Sequence, residues 1–249
     1  MPPARGTAPF RLGDPLYTLP AMIRAVVFDV GECLVDESRE WAGWAAWLGV
    51  PRHTFSAGFG AALARGLDPR EAFEVFRPGF DMALEREKRT AAGEPEWFGE
   101  NDLYPDVRIT IRVMRQAGMW LGIAANQSPA TTQVLRTLFS GYAGLVLTSS
   151  DLGVAKPDPR FFELLVEELE VEPEEILYVG DRLDHDIAPA TSVGLRTALI
   201  RRGPWATIQR DHPDAERLPT MRVDGLREVP ERVAAFNEAI LSETTRGIA

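Results

Sequence analysis

Apolar runs of strand length alternate with amphipathic stretches of helix length from residue 22 onward, except between residues 37 and 104. This alternation is typical of a parallel sheet whose strands are joined by helical crossovers. It predicts strands at residues 24–28, 120–125, 145–148, 176–179, 195–200 and 221–223. We therefore expect an α/β protein.

The crossover helices follow from the same pattern. Val107, Ile111 and Met114 recur at helical spacing and predict one helix face. Proline favours the first turn of a helix and glycine its end, so this helix should begin after Pro105 and stop at Gly118. The other crossover and closing helices are expected at residues 129–139, 157–170, 186–193 and 230–241.

Residues 37–104 interrupt the alternation, because they contain helical stretches and no convincing strand. The helical stretches lie at residues 39–48, 53–65, 69–76 and 80–92. A structureless connection of this length is uncommon in a compact domain. We therefore expect a helical subdomain inserted after the first strand. Trp41, Trp44 and Leu48 recur at helical spacing, which favours packing inside that insert.

Composition narrows the possible classes of function. The chain has 249 residues, with 37 acidic and 27 basic side chains and a net charge of -10. This balance argues against broad binding to the phosphate backbone of nucleic acids. Apolar runs stay below the roughly 18 residues that a membrane span needs. The single cysteine, Cys33, cannot form an intrachain disulfide, which fits a cytoplasmic protein.

Residues 1–21 differ from the rest of the chain. They are rich in proline and lack the basic start and apolar middle of a signal peptide. We interpret them as a flexible N-terminal extension.

Polar residues that can take part in catalysis or ligand binding follow several of the predicted strands. Asp29 ends the first strand, Asn126 follows the second, and Asp181 follows the fourth. Ligands of open parallel sheets collect at the carboxyl ends of the strands, so these residues are placed where chemistry occurs. Lys156 is one of only two lysines in the chain. A lysine is a compact point charge that arginine does not copy at a tight site.

Four segments resemble, in order, the motifs of the haloacid dehalogenase (HAD) superfamily of hydrolases. They are Phe28-Asp29-Val30-Gly31-Glu32-Cys33-Leu34, Gly122-Ile123-Ala124-Ala125-Asn126-Gln127, Gly153-Val154-Ala155-Lys156-Pro157-Asp158-Pro159 and Val179-Gly180-Asp181-Arg182-Leu183-Asp184-His185-Asp186-Ile187. The resemblance extends from residue 22 to about residue 225. It implies a Rossmann-like α/β core of residues 22–36 and 105–249, with residues 37–104 as a helical cap.

The resemblance also implies a phosphatase that works through an aspartyl-phosphate intermediate. Asp29 matches the nucleophile, and Lys156 matches the lysine that neutralises the nucleophile and the phosphoryl oxygens. Asn126 matches a phosphate-binding residue. The implied substrate is a small phosphorylated metabolite. The sequence indicates neither which metabolite this is nor the oligomeric state of the protein.

A carboxylate that attacks an anionic phosphate benefits from a divalent cation that bridges their oxygens. Asp29, the backbone carbonyl of Gly31 and Asp181 match the ligands of Mg²⁺ in this family. Asp186 matches an acid that holds water or orients the site without binding the metal directly. Mg²⁺ commonly binds through few carboxylates and several waters, which fits such a set.

Two positions depart from the family's usual pattern. Gly31 stands where phosphatases of the family usually have an aspartate that protonates the leaving group, and adjacent Glu32 cannot be assumed to replace it. Ala125 stands where a serine or threonine hydroxyl usually precedes the asparagine. Two alternatives therefore stay open: a metal-independent 2-haloacid dehalogenase, and a non-catalytic regulatory or binding protein. Retention of Asp181 and Asp186 favours the phosphatase.

Overall fold

The computed structural model describes residues 21–67 and 71–248. Within these residues, six strands form one sheet in the order β3-β2-β1-β4-β5-β6, and every neighbouring pair is parallel. The strands are β1 (Ala25–Phe28), β2 (Trp120–Ala125), β3 (Leu145–Thr148), β4 (Ile176–Gly180), β5 (Arg196–Ile200) and β6 (Met221–Val223). The predicted α/β fold with a parallel sheet is confirmed.

Helices connect the strands. In chain order they are α1 (Ser38–Leu48), α2 (Arg52–Leu63), α3 (Met82–Ala91), α4 (Val107–Gln116), α5 (Pro129–Leu138), α6 (Ser149–Leu152), α7 (Arg160–Leu169), α8 (Ala188–Ser192), α9 (Gly203–Ile208), α10 (Asp214–Arg217) and α11 (Val229–Ile248). Short 3₁₀ segments occupy Glu71–Val75, Glu100–Asp102, Pro173–Glu175 and Leu226–Glu228, and a wider π turn occupies Leu183–Ile187. No helix in the described part of the chain is long and apolar enough to cross a membrane.

The sheet is buried on both faces, as the apolar strands predict. Successive strand residues point to opposite faces. Val26 and Phe28 of β1 therefore pack in one apolar cluster with Met114 of α4. Val27 packs in a second cluster, together with Phe161 of α7. Because β1 is packed on both faces, its carboxyl end is held in a fixed position at the edge of the core.

The segment between β1 and α4 is helical, as expected, and has an aromatic core of its own. Trp44 and Phe73 pack edge to face with ring centroids 5.3 Å apart, and Phe55 stacks on Phe59 at 5.7 Å. Edge-to-face and offset aromatic pairs are favourable packing arrangements beyond the area they bury. The division of the chain into a core of residues 22–36 and 105–249 and a cap of residues 37–104 stays our proposal.

Several boundaries differ from the predicted ones. The predicted helix at 69–76 is a 3₁₀ segment, Glu71–Val75, and residues 68–70 are outside the described part. The helix predicted at 157–170 begins only at Arg160. The closing helix, predicted at 230–241, is Val229–Ile248. The predicted N-terminal extension, residues 1–21, lies outside the described residues except for Ala21.

Candidate active site

Three candidate residues meet at the carboxyl edge of the sheet. β1 lies between β2 and β4, so the residues that follow these strands are neighbours. Asp29 follows β1, Asn126 follows β2, and Asp181 follows β4. The Asp29 N–H donates to the Val179 carbonyl at 2.8 Å, which extends the β1–β4 ladder to the carboxylate itself. A cavity of about 730 Å³ opens above this edge and is lined by all three residues.

Lys156 binds two of the buried acids at once. Its ammonium nitrogen lies 2.7 Å from Asp29 Oδ1 and 2.5 Å from Asp186 Oδ1. It also donates to the Tyr178 hydroxyl at 2.9 Å, and that hydroxyl donates to the Ala124 carbonyl at 2.7 Å. An ammonium has three hydrogens, and these three partners account for all of them. Lys156 is therefore held in a fixed position beside the Asp29 carboxylate.

Asn126 fixes the backbone of Lys156. The Asn126 Nδ2 donates to the Lys156 carbonyl, and the Lys156 N–H donates to Asn126 Oδ1, each at 2.8 Å. This pair of bonds ties the loop after β2 to the loop that carries the lysine. An amide nitrogen has a second hydrogen. The predicted contact of Asn126 with a phosphate stays a prediction, because both observed hydrogen bonds of its side chain are made to the Lys156 backbone.

Ala125 leaves the end of β2 without a hydroxyl, and Ser128, three residues further on, lines the cavity. Ala125 is fully buried at the end of β2. Ser128 precedes α5, where its Oγ accepts a hydrogen bond from the Thr131 N–H at 3.3 Å. A serine in this position satisfies one of the free N–H groups of the helix start. Its hydroxyl therefore serves the helix.

Asp186 depends on a glycine that the sequence did not single out. The Asp186 carboxylate is completely buried, and its Oδ2 accepts a hydrogen bond from the Arg182 N–H at 3.0 Å. A Cβ atom on Gly180 would lie 2.4 Å from the Asp186 carboxyl carbon. Heavy atoms do not approach this closely, so only glycine at position 180 lets Asp186 reach Lys156.

The three acids form a compact negative cluster. One carboxylate oxygen from each of Asp29, Asp181 and Asp186 lies within 4.8 Å of the other two, and all three residues are buried. Burial raises the pKa of Asp29 from 3.8 to about 6, although the charge of Lys156 acts in the opposite direction. Burial, followed by the charges of Asp186 and Asp29, raises the pKa of Asp181 well above its usual range. Like charges at this distance raise each other's pKa unless a cation separates them.

The cluster fits a divalent cation. Lys156 is the only ammonium among the described residues at this cluster, and it pairs with Asp29 and Asp186. Within the described part of the chain, the Asp181 carboxylate receives no hydrogen bond from the protein. Three carboxylates against one ammonium leave an excess of negative charge in a buried place. Hard divalent cations prefer carboxylate and carbonyl oxygens, so this donor set suits them.

Glu37 also lines this cavity, although it is not among the residues that the motifs assign to the site. It directly precedes α1, and its Oε2 accepts a hydrogen bond from the Trp41 indole N–H at 3.1 Å. Its Oε1 faces Gly31 so closely that a Cβ there would lie 2.6 Å away. Burial and the neighbouring charge of Glu32 raise the pKa of Glu37 from 4.5 to about 8. The absence of a side chain at Gly31 was the only sequence signal that space for another group exists here.

The helical segment forms a second wall of the cavity. Its contribution combines aromatic side chains, among them Trp41, Phe59 and Trp97, with charged ones. Arg86 and Arg39 add positive charge to the same wall, each paired with an acid, Glu96 and Asp102 respectively. A ligand whose phosphate lies near Asp29 would therefore place its remaining atoms against the helical segment.

A parallel sheet with a buried aspartate, lysine and acid pair at its carboxyl edge is the arrangement of a Rossmann-like α/β enzyme, and comparison with known proteins identifies the family. The model of the haloacid dehalogenase-like hydrolases matches residues 23–194. The chain belongs to this family.

Curated relatives are similar over most of the chain. A glyceraldehyde 3-phosphate phosphatase of Methanopyrus kandleri is 32% identical over 228 residues, which cover 84% of this chain and 96% of the relative. The corresponding phosphatase of Pyrococcus furiosus is 29% identical over 225 residues, covering 84% of this chain and 94% of the relative. A phosphoserine phosphatase of Thermus thermophilus is 32% identical over 161 residues, 62% of each chain.

Solved structures share the fold. A HAD hydrolase of Bacillus subtilis, solved with bound magnesium, superposes with a TM-score of 0.63 at 21% identity and covers 85% of this chain and 99% of its own. A 2-haloacid dehalogenase of Pseudomonas syringae gives a TM-score of 0.52 at 25% identity, covering 86% and 99%. The fold is therefore shared with a 2-haloacid dehalogenase, so the fold alone does not identify the reaction.

Proposed function

We propose that this protein is a Mg²⁺-dependent phosphatase that hydrolyses a small phosphorylated metabolite through an aspartyl-phosphate at Asp29. The observation that carries the proposal is the buried cluster of Asp29, Asp181 and Asp186, in which Lys156 pairs with Asp29 and Asp186. A dehalogenase that needs no metal has no use for the excess negative charge of this cluster. The names of the curated relatives, which are phosphatases of glyceraldehyde 3-phosphate and phosphoserine, support the same reading.

In the proposed mechanism, the Asp29 carboxylate attacks phosphorus and the alcohol leaves. Lys156 holds Asp29 Oδ1 in place and lowers the electrostatic cost of bringing a phosphate to it. A water molecule then hydrolyses the aspartyl-phosphate, which releases phosphate and restores Asp29. Asp186 acts through Lys156, whose ammonium group it binds together with Asp29.

The proposed ligands of Mg²⁺ are Asp29, the Gly31 carbonyl and Asp181. When bound, the cation supplies the positive charge that lets a carboxylate and a phosphate approach each other. The Asp181 carboxylate is available for this role, because no described residue donates a hydrogen bond to it. Asp186 is already shared between Lys156 and the Arg182 N–H, which fits a supporting position. Asn126 would contact the phosphate with its second amide hydrogen.

The substrate class follows from the relatives and from the cavity. We propose a phosphomonoester of a small metabolite, with the helical segment of residues 37–104 as the cap that selects it. The excess of acidic residues, 37 against 27 basic ones, supports the view that nucleic acid is not a partner. A cytoplasmic location is part of the same proposal and depends on the single cysteine.

A substrate screen tests the proposal. Purified protein is incubated with a panel that includes glyceraldehyde 3-phosphate, phosphoserine and p-nitrophenyl phosphate, once with Mg²⁺ and once with EDTA. Halide release from 2-haloacids is measured in parallel. The proposal expects phosphate release that stops in EDTA. Halide release that survives EDTA would instead identify a dehalogenase, and inactivity in both assays would favour a non-catalytic protein.

A further inference from the structure

Hydrolysis of an alkyl phosphate needs a proton donor that the residues described so far do not supply. The leaving oxygen of an aliphatic alcohol is strongly basic, so a positioned acid that protonates it during departure accelerates the step by about 10²–10⁴-fold. Asp29 is occupied as the nucleophile. The three hydrogens of Lys156 are held by Asp29, Asp186 and Tyr178. The donor must therefore be another group that borders the cavity.

Besides the acid cluster, six acids line the cavity, and two of them, Glu96 and Asp102, pair with arginines. The other four can be compared by their partners. The Asp36 carboxylate accepts from the Ser38 N–H at 2.8 Å, at the start of α1. Glu40 pairs with the Arg89 guanidinium at 3.4 Å, and Glu32 accepts a hydrogen bond from the Tyr104 hydroxyl. Each of these carboxylates is thus engaged in a contact that serves the fold.

Glu37 is the fourth of these acids and differs from the other three in where its second oxygen lies. As in the others, one oxygen is engaged, since Oε2 accepts a hydrogen bond from the Trp41 indole. Its Oε1 lies against Gly31, two residues after Asp29, and the cavity borders all three residues. The indole bond fixes the orientation of the carboxyl group, whose second oxygen lies against Gly31.

Gly31 is needed for space and not for its backbone conformation. Its φ is not among the positive values that favour glycine. Any side chain at this position would begin inside the volume that the Glu37 carboxyl group occupies. The two residues therefore form a matched pair, in which the missing side chain of one makes room for the carboxyl group of the other.

We propose that Glu37 is the catalytic acid that protonates the leaving alcohol, an inference that rests on the proposed phosphatase function. As Asp29 forms its bond to phosphorus, the bond from phosphorus to the alcohol oxygen breaks, and the proton of the Glu37 carboxyl moves to that oxygen. Glu37 is then a carboxylate. The water that hydrolyses the aspartyl-phosphate releases one proton to the solvent, and Glu37 takes one up from the solvent, so the cycle is balanced.

The test compares two leaving groups within one variant. Turnover of an alkyl phosphate, glyceraldehyde 3-phosphate or phosphoserine, is divided by turnover of p-nitrophenyl phosphate, whose leaving group needs no proton. Glu37→Gln keeps the shape of the side chain and an oxygen for the Trp41 indole, but its amide is not an acid. We expect the ratio to fall at least ~100-fold, the lower end of the usual contribution of a general acid. Aryl turnover should stay close to that of the parent, which also verifies the fold.

Two further variants sharpen the test. Glu40→Gln removes a carboxylate one helical turn away and should leave the ratio unchanged. Gly31→Ala retains the acid but places a methyl group where Glu37 Oε1 lies, so the carboxyl group must move and the ratio should fall. An unchanged ratio in Glu37→Gln overturns the assignment, as does an equal fall in both turnovers.

The outcome for the parent separates this inference from the proposed function. A parent that hydrolyses both classes of phosphate, with a ratio that Glu37→Gln does not alter, contradicts only the role of Glu37. A parent that hydrolyses aryl phosphates alone also contradicts it, because the donor is then not working. A parent that hydrolyses no phosphate at all contradicts the proposed function and, with it, the inference.

Discussion

Replacing Lys156 by methionine should destabilise the metal-free protein strongly. Methionine has a similar length and no charge, so it removes the ammonium while filling most of its volume. Asp29 and Asp186 would then face each other and Asp181 with no cation between them. Removing one partner of a buried ion pair typically costs about 3–5 kcal/mol, because the remaining charge is buried without compensation. We expect the free energy of unfolding to fall by this amount.

The chain provides a matched control, because Lys88 is its only other lysine. Lys88 pairs with Glu85 at 2.7 Å, but its side chain is 52% exposed, against 3% for Lys156. Exposed pairs contribute about 0–1 kcal/mol, so Lys88→Met should lose less than about 1 kcal/mol. Urea denaturation of the parent and both variants in EDTA measures the difference. Equal losses in the two variants would refute the view that Lys156 neutralises the acid cluster.

The loss at position 156 should also depend on pH. The pKa of Asp29 is about 6 in the folded parent against an ordinary value of 3.8, and removing Lys156 should raise it further. A carboxyl group whose folded pKa is raised stabilises the protein at low pH and loses that contribution as pH rises through the shifted range. The gap between parent and Lys156→Met should therefore widen from pH 5 to pH 8 in EDTA. A constant gap would mean that the charge of Asp29 is not involved.

Two further predictions concern the acids. Asp181→Asn should weaken Mg²⁺ binding in calorimetric titration more than Asp186→Asn does, because Asp186 is already bonded to Lys156 and the Arg182 N–H; a larger loss at position 186 would reverse the two assignments. Gly180→Ala should cost about 1–3 kcal/mol and reduce turnover, since its methyl group would lie 2.4 Å from the Asp186 carboxyl carbon. Gly60→Ala in α2 meets no atom within 4 Å and should be neutral or slightly stabilising, and equal effects on thermal unfolding at both glycines would contradict the packing argument.

The sequence predicted the sheet and the location of the site because both follow from short-range patterns. Apolar runs marked β2, β3 and β6 with the boundaries that the structure has. The carboxyl ends of parallel strands meet at one edge, so Asp29, Asn126 and Asp181 were expected together before any contact was known. The short helices α6, α9 and α10 were not predicted, because one or two turns carry too little periodicity to stand out from a loop.

The contacts that position these residues could not be predicted. The double hydrogen bond between Asn126 and the Lys156 backbone joins residues 30 positions apart, and its geometry depends on the path of two loops. The fit of Asp186 over Gly180 and of Glu37 against Gly31 depends on tertiary packing in the same way. Residue type showed that Gly31 has no acid to offer, but only the structure shows which carboxyl group fills the space.

The most direct test of the account is to identify the residue that carries the phosphoryl group during turnover. The parent is mixed with Mg²⁺ and its best substrate from the panel, quenched in acid, and treated with borohydride, which reduces an aspartyl-phosphate to homoserine. Peptide mass spectrometry then locates the modified residue, with Asp29→Asn as the control. The account predicts homoserine at position 29 in the parent and at no position in the variant. Phosphate release by the parent without modification at position 29, or with modification at another carboxylate, would contradict it.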